Sequence, residues 1–160
     1  MFAAKPVPNT KEETYKVIIE DATYLLSKQD TVITTLSNVS ALLNYYMQDI
    51  NWVGFYLYDG EKLTLGPFQG LPACTLIHIG SGVCGKAAKE KVTVIVDDVH
   101  AFDGHIACDS NSESEIVVPI MINNTLYGVL DIDSPIKSRF DNVDKKHLEI
   151  LINKLIDIIE

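Results

Sequence analysis

The sequence predicts an α+β domain: a central antiparallel sheet of about six strands, with an N-terminal helical pair and a C-terminal helix packed on one side. Three observations carry that prediction. Two segments with helical spacing of apolar residues precede every strand-like segment, two hairpin signals join neighbouring strand-like segments, and a last apolar face with helical spacing closes the chain. At 160 residues the chain is expected to fold as a single domain around one core, with residues 1–9 as a flexible N-terminal segment.

Each element has its own signal. Thr10 followed by Glu13 forms a capping-box pattern, and Tyr15, Ile18, Ala22, Leu25 and Leu26 then recur at helical spacing, predicting a helix over about 11–28. Asp30 is the expected cap of a second helix, with Ile33, Leu36, Val39, Leu42, Leu43 and Tyr46 on one face. Aromatic and β-branched residues then flank Asp59 and Gly60, a two-residue hairpin signal, and CTLIHIG continues as a third strand. GSGVCGKAAKEK reads as a glycine-rich turn opening a short helix, followed by the strand VTVIV. Beyond an irregular stretch from Asp97 to Asn111, SEIVVPIMI and TLYGVLDID are joined as a hairpin at Asn123 and Asn124. Asp141 caps the closing helix, whose inner face carries Val143, Leu148, Leu151, Leu155 and Ile158.

Composition excludes several classes. The net charge is −9, and the 13 Lys and Arg residues are scattered instead of forming a basic footprint, so no nucleic-acid partner is expected. No apolar run approaches the ~20 residues that span a bilayer, and the start has no signal-peptide pattern, so no membrane association and a cytoplasmic location are expected. Three cysteines in such a chain do not form a disulfide framework; they are buried spectators, metal ligands or redox thiols.

The chemistry concentrates in HAFDGHIACD, residues 100–109. Cys108 lies there in a polar loop between His105 and Asp109, where a thiol is accessible and its ionisation is adjusted by neighbours. Cys84, in GVCGKAA, reads either as a small buried residue or as a thiol at a helix N-terminus, where partial positive charge favours the thiolate. Zinc held by His100, His105, Cys108 and Cys74 lacks any paired ligand spacing, and no metal is expected. Asp131 and Asp133 share one face of their strand because side chains alternate with period two. If the Asn123–Asn124 hairpin pairs its strands, Glu115 lies near both. Such carboxylates repel one another unless a cation or a shared proton intervenes, and a ligand's ammonium group is one such cation. Trp52, the sole tryptophan, is a core aromatic or the wall of an apolar pocket.

NWVGFYL, GPFQGLPAC, GSGVCG, DVHAFDGHIACDSNSESEIVVPI and GVLDIDS, in this order and spacing, closely resemble the free methionine-(R)-sulfoxide reductases, which are single GAF domains. The resemblance implies a GAF-like fold and a reductase that converts free L-methionine (R)-S-oxide to L-methionine. It assigns Cys108 as the nucleophile, Cys74 as the resolving thiol and Cys84 as an auxiliary or alternative partner. It places Trp52, Glu115, Asp131 and Asp133 in the substrate pocket. It further implies no bound cofactor and reduction by thioredoxin with NADPH as the indirect electron source; it leaves the oligomeric state open, with the first and last helices as the elements through which a homodimer could pair. His100 and His105 either shape the loop or are structural, and the residues between Asp109 and Glu115 read as freely variable.

Overall fold

The computed structural model describes residues 2–104 and 109–160. Two helices open the chain, α1 (Lys11–Leu25) and α2 (Val32–Tyr46), followed by strands β1 (Trp52–Tyr58), β2 (Lys62–Gln69) and β3 (Leu76–His78). A short helix α3 (Gly82–Glu90) leads to β4 (Val94–Val96), a single 3₁₀ turn (Val99–Ala101), β5 (Ser114–Ile122), β6 (Thr125–Ser134) and the final helix α4 (Asn142–Ile159). The six strands form one sheet in the order β3-β2-β1-β6-β5-β4, and every neighbouring pair is antiparallel.

The sheet separates two apolar cores. On one face Val53, Phe55, Ile116, Val118, Ile120, Leu130 and Ile132 pack against α1, α2 and α4, as the helical periodicities predict. The short α3 goes to the opposite face, where Val83, Cys84, Ala87 and Ala88 meet Trp52, Tyr56, Val117 and Val129. That placement creates the space in which the candidate site lies. No helix among the described residues is long and apolar enough to cross a membrane.

Three local expectations are corrected. Helix α1 stops at Leu25 instead of running to 28, because Ser27 Oγ accepts from Gln29 N at 3.2 Å and Asp30 N turns back to Ser27 O at 3.0 Å. The cap of α2 is Thr31, whose Oγ1 accepts from Thr34 N at 3.2 Å, and not Asp30. The first hairpin turns one residue later than its Asp-Gly signal. Asp59 N donates to Lys62 O, and Asp59 Oδ1 accepts from the backbones of Glu61 and Lys62, so Gly60 (φ 102°) and Glu61 form the tip. The second hairpin turns where expected, with Asn123 and Asn124 both left-handed (φ 49° and 62°), the geometry that suits strand twist. The segment expected to be loose over residues 1–9 is tied down at Lys5, whose N–H donates to Tyr46 Oη at 2.9 Å and whose ammonium lies 3.0 Å from Asp21.

Candidate active site

The register of β5, β6 and β1 builds the site. Glu115 stands opposite Asp133 and Val117 opposite Asp131, while on the other flank Asp133 faces Trp52 and Asp131 faces Gly54. Period-two alternation therefore puts all three carboxyl groups on the face that α3 covers. Glu115 and Asp131 are each 6% exposed, and Asp133 keeps partial exposure. The first turn of α3 brings Cys84 down onto them, with Sγ 3.9 Å from Glu115 Oε1. The thiol and one oxygen from each of Glu115 and Asp131 lie within 4.8 Å of one another, an arrangement able to hold a cation.

These groups surround a cavity of about 30 Å³. Ser81, the N-cap of α3, and Cys84 in its first turn line it, with Asp109 and Ser112 from the loop before β5 and the three carboxyl groups from the sheet. Burial is the main cause that raises Glu115, Asp131 and Asp133 well above the ordinary carboxyl range, and their mutual charges add to it. A hydrogen bond from Ser112 acts the other way on Asp133. Burial also pushes the Cys84 thiol up, and the charges of Asp131 and Glu115 push it further. This offsets what the helix N-terminus offers a thiolate, so Cys84 is held as a thiol against the carboxyl groups. Asp131 Oδ1 is buried without a hydrogen-bond partner among the described residues. The cavity therefore presents concentrated acceptors and little neutralising charge, which is what an ammonium group requires.

An aromatic stack flanks the carboxylates. Trp52 is 2% exposed, lies 5.9 Å from Tyr56 and 5.3 Å from Phe68 between ring centroids, and donates Nε1–H to Leu71 O at 3.1 Å. Gly54 makes room for it, since a Cβ there would lie 2.3 Å from Phe68 Cβ and 2.7 Å from the indole. Tyr56 donates its hydroxyl to Cys74 O at 3.0 Å, tying the segment that carries Cys74 to the same face. Cys74 is disulfide-bonded and Cys84 is free.

The chain matches the GAF domain family over residues 28–160. It is 46% identical over 145 residues to the free methionine-R-sulfoxide reductase of Escherichia coli, across 91% of this chain and 88% of that protein. It belongs to the free methionine-R-sulfoxide reductase family. Among solved structures of that family, the enzyme of Staphylococcus aureus in complex with substrate is 48% identical (TM-score 0.88), covering 99% of this chain and all of that one. The free methionine-R-sulfoxide reductase of Neisseria meningitidis in complex with its substrate is 37% identical (TM-score 0.93), covering 99% and 96%.

Of the residues that the family resemblance singles out, the structure brings Glu115, Asp131, Asp133 and Cys84 together around one cavity. Trp52 is on the same face but does not line that cavity; it is packed into the aromatic stack. Cys108 and His105 lie outside the described residues, although Asp109, which lines the cavity, directly follows Cys108 in the chain. His100 is exposed, 3.4 Å from Glu113 on the surface. Ser112, one of the residues between Asp109 and Glu115 and not singled out in the sequence, is 3% exposed and in the cavity wall. Tyr56 is a second residue missed. Its place two positions beyond Gly54 on the Trp52 face was a usable signal.

Proposed function

We propose that this protein reduces free L-methionine (R)-S-oxide to L-methionine, with Cys108 as the nucleophile and Cys74 as the resolving thiol. The observation that carries the reading is the convergence of Glu115, Asp131 and Asp133 in one small cavity, in a chain whose relatives include reductases solved with their substrate. A free amino acid brings an ammonium group that neutralises such a cluster. A methionine inside a polypeptide brings only a neutral amide N–H and leaves the buried charge uncompensated, a penalty of several kcal/mol.

In the proposed reaction the Cys108 thiolate attacks the sulfoxide sulfur as the oxygen takes a proton from a carboxyl group that its neighbours keep protonated. The oxygen passes from the substrate sulfur to the Cys108 sulfur as the S–O bond breaks, so methionine leaves reduced and Cys108 is left as a sulfenic acid. The Cys74 thiol displaces that oxygen as water and closes a disulfide, which two electrons from a thioredoxin dithiol reopen by exchange. The disulfide-bonded state of Cys74, beside a free and buried Cys84, supports Cys74 over Cys84 as the resolving group.

The test is NADPH consumption with thioredoxin and thioredoxin reductase, supplying the R and S diastereomers of free methionine sulfoxide separately. Turnover of the R form alone, abolished by Cys108→Ser, is the expected result. Equal turnover of both forms, or activity that survives Cys108→Ser, would refute the reading.

A further inference from the structure

Asn51, the residue before β1, has no place in the reaction above, yet it connects the loop to the carboxylate cluster. Its Nδ2 donates to Asp109 Oδ2 at 2.9 Å and to Ser112 Oγ at 3.1 Å, and its backbone N–H donates to Asp133 O at 3.0 Å. We infer that Asn51 is a positioning residue of the amine site, setting the direction of the Ser112 hydroxyl and through it the hydrogen bond that Ser112 gives to Asp133.

The argument is one of donor and acceptor capacity. Asp109 Oδ2 accepts here, so it fixes which end of the Asn51 amide faces it; exchanging the ends would set Oδ1 against a carboxyl oxygen. Both protons of Nδ2 are thereby used. Ser112 Oγ, taking one of them, is left with its own single proton to give, and Asp133, which lines the same cavity, is the carboxyl placed to receive it. Asn51 Oδ1 is meanwhile buried with no partner among the described residues. An amide that leaves a buried acceptor unmatched is held for its donors, because that mismatch is unfavourable by itself.

Asp133 needs this help. Among the described residues the titratable groups around it are Asp131 on its own strand, Glu115 on β5, Asp109 on the loop, Cys84 on α3 and Tyr56 on β1, all of them acidic. Among the described residues, no basic side chain lines the cavity. The Ser112 proton therefore favours the ionised carboxylate that an ammonium group would meet. With Asn51 truncated the hydroxyl is free to rotate away, and Asp133 holds its proton to a higher pH.

The titration arm of the test needs no substrate. Aspartate-labelled protein is titrated by carbon NMR of the carboxyl groups, with the Asp133 signal assigned through Asp133→Asn. Asn51→Ala and Ser112→Ala are each expected to raise the Asp133 midpoint by about one pH unit. The double variant should move it no further than either single change, and Ser112→Thr should restore it. Asn51→Leu, of similar shape, replaces Asn51→Ala if that variant does not fold. A midpoint left in place by either single truncation, or a double variant equal to the sum of the two, overturns the inference. The kinetic arm rests on the proposed reductase reading. There, KM for free methionine (R)-sulfoxide should rise about tenfold below the midpoint, with kcat affected much less. A shifted titration in a protein that turns over no sulfoxide would sink the reductase reading and leave the positioning role standing.

Discussion

Asp131→Asn should make the protein more stable at neutral and alkaline pH while weakening its site. The Asp131 and Glu115 oxygens lie within 4.8 Å, which corresponds to roughly 3.5 kcal/mol of repulsion between full charges at an effective dielectric constant of ~20. The pair escapes part of this by keeping a proton, as the upward direction of both groups indicates. The residual penalty to the fold is on the order of 2 kcal/mol. Because the folded carboxyl binds its proton more tightly than the unfolded one, no penalty exists below the unfolded value near pH ~4. The penalty grows as pH rises from there to the folded value and is constant above it. An asparagine avoids it, and its Nδ2–H can still donate to Glu115. A gain of about 2 kcal/mol corresponds to about 4–8 °C in Tm for a domain of this size. Thermal unfolding at pH 8 and at pH 4, wild type against variant, reads it directly. An unchanged or lower Tm at pH 8, or the same gain at both pH values, would refute the charge-crowding argument.

Other perturbations separate the remaining roles. Cys84→Ser should retain thioredoxin-supported turnover within a few-fold, whereas Cys74→Ser should release about one equivalent of methionine and then lose at least ~10-fold in steady-state rate; a burst assay with quantified methionine distinguishes them, and the reverse pattern would exchange the two assignments. Gly54→Ala should destabilise the fold by about 1–3 kcal/mol, since the new Cβ meets Phe68 Cβ at 2.3 Å; urea unfolding with an unchanged midpoint would contradict the tight packing of Trp52 over that glycine.

The carboxylate cluster was legible in part, because strand alternation is local and the Asn123–Asn124 turn sets the start of the register. Counted from that turn alone Glu115 would face Ile132; a register shift between Ile120 and Met121, which nothing in the sequence announces, brings it opposite Asp133. The other half of the site was not legible for the opposite reason. Cys84 reaches Glu115 across 31 positions because α3 packs on the face away from the other helices, and no periodicity in GVCGKAA specifies which face that is. Asn51 and Ser112 meet across 61 positions, and both are small polar residues of a kind that loops carry for many reasons. Trp52 could be placed on the correct face by counting from β6. Whether it walls a cavity or stacks in a core depends on Phe68, which β2 supplies through a register irregularity near Gly54. The displaced first hairpin has a local cause that outranks the Asp-Gly signal: the Asp59 side chain binds the next two free N–H groups.

The central claim is that buried carboxylates recognise a free amine. The most direct measurement is the ratio of kcat/KM for free methionine (R)-sulfoxide to that for its N-acetyl derivative, which keeps the sulfoxide and the carboxylate and has a neutral acetamide in place of the ammonium. The account predicts a ratio of at least ~100, shrinking in Asp131→Asn and Asp133→Asn. A ratio near one, with both substrates turned over efficiently by the wild type, would contradict it.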